Sequence, residues 1–391
     1  MKKHSLKKSA VSFASFVKRE PVLFAAILLA VVSVCVIRPA PIVCVQAIDF
    51  RTIAILFSLM IVIKAFQSQN FLDVIAARLL RLCKTRRSLY FLLTYLVFFS
   101  SMFVTNDVAL LTFVPISLLI FRQIKLSSLH LVILETLAAN LGSCSTPMGN
   151  PQNLFLFSYY HFSALEFFAL TAKIAVPSLF ILGIIILFLT RNRLAEHGGF
   201  DEPNVIPGNT LQTQIAFLKL DFRTIFYVVD FVLCLLTVFH VVDYLVMLAV
   251  VAASMLFCNI RLFKKVDYSL LLTFAGFFIF TKTISTVPAF SAFVQSLLSS
   301  PLKTYLTGIA ASQVISNVPA ALLLSGFTEN GAMLLLAVNV GGLGTLIASM
   351  ASVISFKLYT ASNPGDGRYF ALFTLYNVVL LAVLGVIVYL L

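Results

Sequence analysis

Two polar tripeptides, Thr105-Asn106-Asp107 and Ser316-Asn317-Val318, stand some two hundred residues apart, each set between apolar segments. Each is followed downstream by a glycine-bearing polar break in another apolar segment, at 142–151 and at 341–349. In lipid, unwound backbone persists only where it lines a cavity or is buried in protein. A duplicated pair of such breaks therefore constrains the fold more than any single helix does, and it points to a binding site near the middle of the membrane.

The rest of the chain supplies the membrane context. Its 391 residues are 60% hydrophobic and 11% charged, with a mean hydropathy of +1.03. Repeated apolar runs near twenty residues give an all-α polytopic membrane protein, with the lipid bilayer as its constant partner. The net charge of +13 does not indicate a nucleic-acid partner, because the basic residues sit between apolar runs, where they orient a membrane protein. Lys2, Lys3, Lys7, Lys8, Lys18 and Arg19 precede the first apolar run and place the N-terminus in the cytoplasm of a multi-pass protein of the cell (inner) membrane. That run, Val22–Ile37, lacks a small-residue cleavage site after it and is expected to stay as a helix. The six cysteines are scattered without a CxxC pair, so neither a metal site nor a disulfide framework is expected. There is no phosphate-binding GxxxxGK[ST] loop and no catalytic constellation. The expectation is a non-enzyme without a cofactor, Na⁺ as coupling ion aside.

Along the chain, 1–47 reads as a basic N-terminus and first helix, 48–190 as a first repeat, 191–223 as a cytoplasmic linker and 224–391 as a second repeat. Within the first repeat, a helix over Thr52–Phe66 leads to an amphipathic segment, Phe71–Cys83, bearing Arg78 and Arg81. Ser88–Val104 and Val108–Phe121 then flank the first tripeptide, with basic clusters at both outer ends (Lys84, Arg86 and Arg87; Arg122 and Lys125). A re-entrant hairpin keeps both clusters on one side, with the tripeptide at its tip. Leu129–Phe157 is broken at 142–151, and Ala172–Thr190 completes the repeat. In the second repeat, spans at Thr224–His240, Tyr244–Cys258 and Tyr268–Ile284 precede a surface segment, Val287–Ser300, that carries no positive charge. Tyr305–Phe327 forms the second hairpin, Met333–Tyr359 holds the second break, and Tyr369–Leu391 is the last helix.

The halves match beyond the tripeptides. Asp49 begins a helix with Lys64 fifteen residues on, and Asp267 begins another with Lys282 fifteen residues on. Asn140, Gly142 and Thr146 match Asn339, Gly341 and Thr345 with the same internal spacings. Charge placement starts the Asp49 helix outside and the Asp267 helix inside, which predicts an inverted-topology repeat, the architecture of alternating-access transporters.

The residues around the breaks carry the expected chemistry. Asn106 and Asn317 each offer a donor amide and an acceptor carbonyl, and the neighbouring hydroxyls and freed backbone add further groups. Half-helix N-termini suit anions, while unwound carbonyls suit Na⁺. The candidate substrate-binding residues are Thr105, Asn106, Ser143, Thr146, Asn150, Ser316, Asn317 and Thr345. The candidates for coupling to a cation or proton are Asp107, Asn106, Gly142, Asn317, Gly341 and Glu135. Asp107 has three readings, as a Na⁺ ligand, a proton carrier or a helix cap. Glu135 is a proton site or a partner for a basic residue. Lys64 and Lys282 lie near helix ends, where snorkelling to the interface is expected.

At TNDVALLTFVPI, ANLGSCSTPMGNPQNLFLF, ISNVPAALLLS and NVGGLGTLIASMASVISFKLY, the chain resembles the ion transporter superfamily. That group includes divalent anion:sodium symporters, citrate transporters, arsenite efflux permeases and a class of sodium/proton antiporters. The resemblance runs from about Asp49 to the C-terminus and implies a scaffold region plus a transport region with two opposed hairpins, often in a homodimer. In the divalent anion symporters each tip reads Ser-Asn-Thr. By position, Thr105-Asn106-Asp107 and Ser316-Asn317-Val318 occupy those tips, which implies that Asn106 and Asn317 contact substrate or Na⁺. Both tips depart at the third place, the first also at the first place, and its Asn-Asp pair is similar to that of the arsenite permeases. The function so implied is Na⁺- or H⁺-coupled transport of a small anion, a di- or tricarboxylate such as citrate. The alternatives are arsenite or oxyanion efflux, Na⁺/H⁺ exchange, or a membrane scaffold or receptor that does not transport.

Overall fold

The computed structural model describes residues 20–80, 83, 85–191 and 221–391. The basic residues before Glu20, together with Arg81, Lys84 and nearly all of the 191–223 segment, lie outside the described residues. All regular structure among the described residues is helical. In chain order the helices are α1 (Pro21–Ile37), α2 (Pro41–Ala47), α3 (Phe50–Ser68), α4 (Phe71–Leu80), α5 (Arg86–Val104), α6 (Asn106–Gln123), α7 (Leu129–Ser143), α8 (Pro151–Tyr159) and α9 (Ala164–Leu189). They continue as α10 (Phe222–Val238), α11 (Tyr244–Asn259), α12 (Tyr268–Ile284), α13 (Pro288–Leu297), α14 (Pro301–Ile315), α15 (Asn317–Leu324), α16 (Gly331–Val340), α17 (Met350–Ser362) and α18 (Arg368–Leu390).

Six of the described helices are long and apolar enough to cross a membrane: α3, α5, α6, α9, α11 with its 3₁₀ extension to Lys265, and α18. Helices α12 and α13, bent by 108° where they meet, make a further span if taken together. The protein is therefore an all-α polytopic membrane protein. Short polar side chains start many of the helices. Asp49 accepts from the Thr52 amide at 3.0 Å and Asp267 from the Leu270 amide at 3.1 Å. Each such cap contributes about 1 kcal/mol, and the two open the pair of helices that the fifteen-residue spacing had matched.

Some boundaries differ from the sequence expectation. Helix α9 begins at Ala164, eight residues before the expected start, because Ser163 caps it by accepting from the Glu166 amide at 3.2 Å. The short α2 was not expected. Both arms of the first hairpin, 19 and 18 residues, are long enough to span alone, whereas those of the second are 15 and 8 residues. Beyond the last break, Arg368 clamps Asp366 through two contacts at 2.9 and 3.0 Å, and this holds the Asp366 carboxyl well below the usual carboxylate range.

Buried side chains form two cores. One joins α5, α6, α7, α9, α17 and α18. The other joins α1, α3, α8, α10, α11, α12 and α15. The duplicated breaks lie where these bodies meet.

The two tips share an unusual backbone. Thr105 has φ 69° and ψ 151°, and Ser316 has φ 74° and ψ 154°. This region is essentially reserved for glycine and costs about 1–3 kcal/mol for other residues. Close approach recurs behind both tips as well. A Cβ on Gly142 would fall on the Phe98 carbonyl and 2.5 Å from Ser101 Oγ, and one on Gly341 would lie 2.7 Å from Ser312 Oγ. Ser101 and Ser312 each stand four residues before their tip residue. From α3 and from α12 onward the order of elements is likewise the same: a long capped helix, a short helix, a helix up to the strained residue, a second arm, a broken helix and a final long helix; α10 and α11 precede the second set.

The Thr105 side chain makes no capping bond, so Thr105→Gly should relieve strain. It should raise the thermal midpoint of the detergent-purified protein, by the equivalent of about 1 kcal/mol after allowance for unfolded-state entropy. An unchanged or lower midpoint in differential scanning fluorimetry would show the tip to be unstrained.

Candidate functional site

The unwound backbone of each break is satisfied by one side-chain amide. Asn153 on α8 donates through Nδ2 to the carbonyls of Cys144 (3.0 Å) and Thr146 (3.2 Å) in the first break. Gln313 on α14 donates through Nε2 to the carbonyls of Gly341 (2.8 Å) and Leu343 (3.0 Å) in the second, while its Oε1 accepts from the Thr345 amide at 2.8 Å. Lipid offers the freed carbonyls no partner, so the two amides are what allow the helices to be broken at these places.

A second set of amides ties the breaks to each other. Asn106 donates to Asn140 Oδ1 at 3.2 Å. Asn140 Oδ1 also accepts from Ser349 Oγ at 2.9 Å, and its amide donates to Ser352 Oγ at 3.3 Å. Asn150 donates to Asn339 Oδ1 at 3.2 Å, and Asn339 donates to Asn153 Oδ1 at 2.7 Å. The network thus runs from the first tip through the first break into both flanks of the second.

Two adjoining cavities open beside it. The larger, about 180 Å³, is walled by apolar residues of α3 and receives Lys64, Thr105, Asn106, Asp107, Asn150 and Asp267. The smaller, about 100 Å³, shares Asn106, Asp107, Pro151, Asp267 and Leu270 with it and adds Gln152, Ser316, Asn317 and Ser349. Both exceed the roughly 10–15 Å³ that admits one water. First-turn or capping residues of six helices (α1, α6, α8, α12, α15 and α17) line the smaller cavity. Three of these, α1, α15 and α17, have no side-chain cap bond, which leaves first-turn N–H donors and the positive end of the helix dipole for a ligand.

Asp107 accepts no hydrogen bond among the described residues, and its Oδ1 is buried without a partner. Its carboxylate therefore does not cap α6. Asn106 Oδ1 instead takes the Asp107 amide at 3.0 Å. The Asn317 side chain is buried and has no hydrogen-bond partner among the described residues.

Six expected site residues reach the cavities: Thr105, Asn106, Asp107, Asn150, Ser316 and Asn317. The others lie behind or beside them. Gly142 and Gly341 serve close helix packing. Ser143 donates to the Asn140 carbonyl at 3.0 Å, and Thr146 donates to the Met102 carbonyl. Thr345 is exposed, its hydroxyl donating to the Gln313 carbonyl at 3.1 Å. Glu135 is fully buried in α7, where Ser117 donates to Oε1 and Oε2 has no partner. Lys64 does not snorkel as expected. It is half-buried and lines the larger cavity together with Asp107 of α6, whereas Lys282 is exposed. Asn153, Gln313 and Ser349 were not singled out from the sequence. Their signal was an amide or hydroxyl in an apolar stretch within a few residues of a break (Asn153, Ser349) or of a tip (Gln313).

Asn339→Ala should leave Asn150 and Asn153 each short of one partner and destabilise the protein by about 1–2 kcal/mol. The expected readout is a thermal midpoint lower by a few degrees in detergent, and an unchanged midpoint would mean that the amide network carries no stability.

Comparison with known proteins places this geometry in a family. The citrate transporter family profile matches residues 16–332. An uncharacterized transporter of Methanocaldococcus jannaschii is 33% identical over 325 residues, covering 82% of this chain and 84% of its own. The inner membrane protein YbiR of Escherichia coli is 30% identical over 338 residues, covering 86% of this chain and 85% of its own. The P protein of Mus musculus is 30% identical over 122 residues, which is 31% of this chain and 15% of that protein. With helices enough to cross a membrane several times and a profile match over most of its length, the chain belongs to the citrate transporter family of membrane transporters.

Proposed function

We propose that the chain is a cation-coupled secondary transporter of a small anion, a di- or tricarboxylate such as citrate. The observation that carries this reading is the meeting of six helix N-termini, drawn from both halves, on the smaller cavity. Such ends hold anionic groups through backbone donors and dipoles. Asn317, with its free amide, adds a side-chain donor there, and Asn106 borders both cavities.

The coupling follows from Asp107. A carboxylate beside an anion site opposes binding: like charges about 5 Å apart at an effective dielectric near 20 repel by about 3 kcal/mol, or about a hundredfold in affinity. A cation on Asp107, Na⁺ or H⁺, removes that penalty, so cation and anion bind together or not at all. The Asn-Asp tip and the buried, unpartnered Oδ1 support Asp107 as the cation's ligand. Glu135, with one unpartnered oxygen, is a second candidate proton carrier.

Alternating access would come from two inverted repeats, 48–190 and 224–391. The repeated tip dihedrals, the Gly142 and Gly341 close approaches and the common element order support the duplication, and charge placement supports its inversion. The relative named as an inner membrane protein supports that location, with a cytoplasmic N-terminus argued from the basic residues before Glu20. A homodimer is part of the same proposal and rests on the superfamily resemblance.

The test is uptake of labelled citrate and shorter dicarboxylates by proteoliposomes, with and without Na⁺ and proton gradients. Asn106→Ala and Asn317→Ala should each lower uptake about tenfold or more, as expected for loss of a hydrogen bond to a charged group, while the protein stays folded. Asp107→Asn should abolish the dependence on the cation gradient. Normal transport by both alanine variants would put the site elsewhere.

A further inference from the structure

We infer that Lys64 is a tethered counter-cation for Asp107: its ammonium stands in for Na⁺ when the cation site is empty, and Na⁺ must displace it to bind. The inference rests on the cation-coupled reading above and deepens it.

Lys64 lines the same cavity as Asp107 and Asp267. Its Nζ donates to Gln67 Oε1 at 3.0 Å, one turn along α3. It forms no ion pair with a carboxylate among the described residues, so it shares the cavity with Asp107 without being locked to it. Of the nearby charges, Asp267 on the α12 cap attracts the ammonium most, Lys265 repels it, and Asp107 attracts it more weakly. Asp107 for its part has no partner on Oδ1.

The comparison between the halves adds an independent argument. The counterpart of Asp107 is the apolar Val318, and the counterpart of Lys64 is Lys282, which is exposed and lines neither cavity. The cavity lysine and the tip carboxylate thus occur together on one side and are both missing from the other. They sit on different helices, Lys64 on α3, most of whose buried residues pack in one core, and Asp107 on α6, which packs in the other, with Ile63 of α3 bridging to it. Relative movement of those helices changes their separation. A cation-free carrier with an internal ammonium on Asp107 is close to neutral there, and it can reorient without leaving a bare carboxylate in the membrane.

An alternative role for the same residue is direct binding of the anion. Two carboxylates share the cavity with one ammonium, which disfavours that role.

The test uses the full-length chain in proteoliposomes and in detergent, with Na⁺ titrated at fixed pH against choline as control. Lys64→Gln should lower the half-saturating Na⁺ concentration about tenfold, both for uptake and for thermal stabilisation, while the anion KM at saturating Na⁺ stays the same. Lys64→Arg should resemble the wild type. If Lys64→Gln does not fold, Gln67→Leu serves instead: it frees the ammonium for Asp107 and should raise the Na⁺ midpoint. An unchanged Na⁺ midpoint in these variants, or a higher anion KM in Lys64→Gln, overturns the inference and leaves the cation-coupled reading standing. A wild-type protein with no Na⁺ response overturns the inference together with Na⁺ coupling itself.

Discussion

Carbonyls freed at two helix breaks must find donors inside the protein, and the rest of the site is arranged around that need. A chain of this hydropathy has no water to offer them, so each break is viable only with a resident donor. Asn153 on α8 and Gln313 on α14 fill that role from different elements, each capturing two carbonyls across its break. Once these amides are committed to backbone, they cannot be ligands. The groups left for a ligand are those not consumed in building the breaks: Asn317, Asp107, the uncapped first turns and the hydroxyls near them.

The strained tips follow from the same requirement. Thr105 and Ser316 adopt nearly the same glycine-like dihedrals although neither is glycine. Holding each tip there turns the chain sharply between its arms and brings the next helix N-terminus onto the cavity. The Asn106 amide then reaches the Gly149 carbonyl at 3.3 Å, docking the first tip on the first break. Ser316 donates to the Ala348 carbonyl at 3.3 Å and docks the second tip on the second break. Strain persists where surrounding contacts over-determine it, and here those contacts are the breaks themselves.

Much of this was legible in the sequence because it depends on residue types that apolar helices avoid. Gly142, Pro147, Gly149 and Pro151 cannot share an uninterrupted helix, and the 142–151 break is where the chain unwinds. Asp49 and Asp267 signalled helix starts for the same reason. What could not be read was direction in space. Whether Lys64 snorkels or turns inward depends on how α3 is rotated about its axis, and a nearly uniformly apolar helix carries no periodicity to reveal it. Gln313 was overlooked because its role depends on a break that lies some thirty residues away in sequence. Glu135 was noticed for its charge, yet its depth in the α7 core and its Ser117 partner come only from packing.

The unlike third residues of the tips acquire a physical meaning from the cavities. Backbone donors can be duplicated without harm, since helix N-termini facing one cavity add partial positive charge of the same sign. Duplicated carboxylates would do the opposite, adding a further negative charge to a space already bordered by Asp107, Asp267 and, in the smaller cavity, Glu20. Val318 stands in place of a second tip carboxylate, and Lys282 is turned out of the cavities while Lys64 stays in, so the tip carboxylate and the cavity lysine lie on one side. The cavities thus pair a repeated backbone with unrepeated charge: helix first turns recur at both tips, whereas Asp107 and Lys64 have no charged counterpart there.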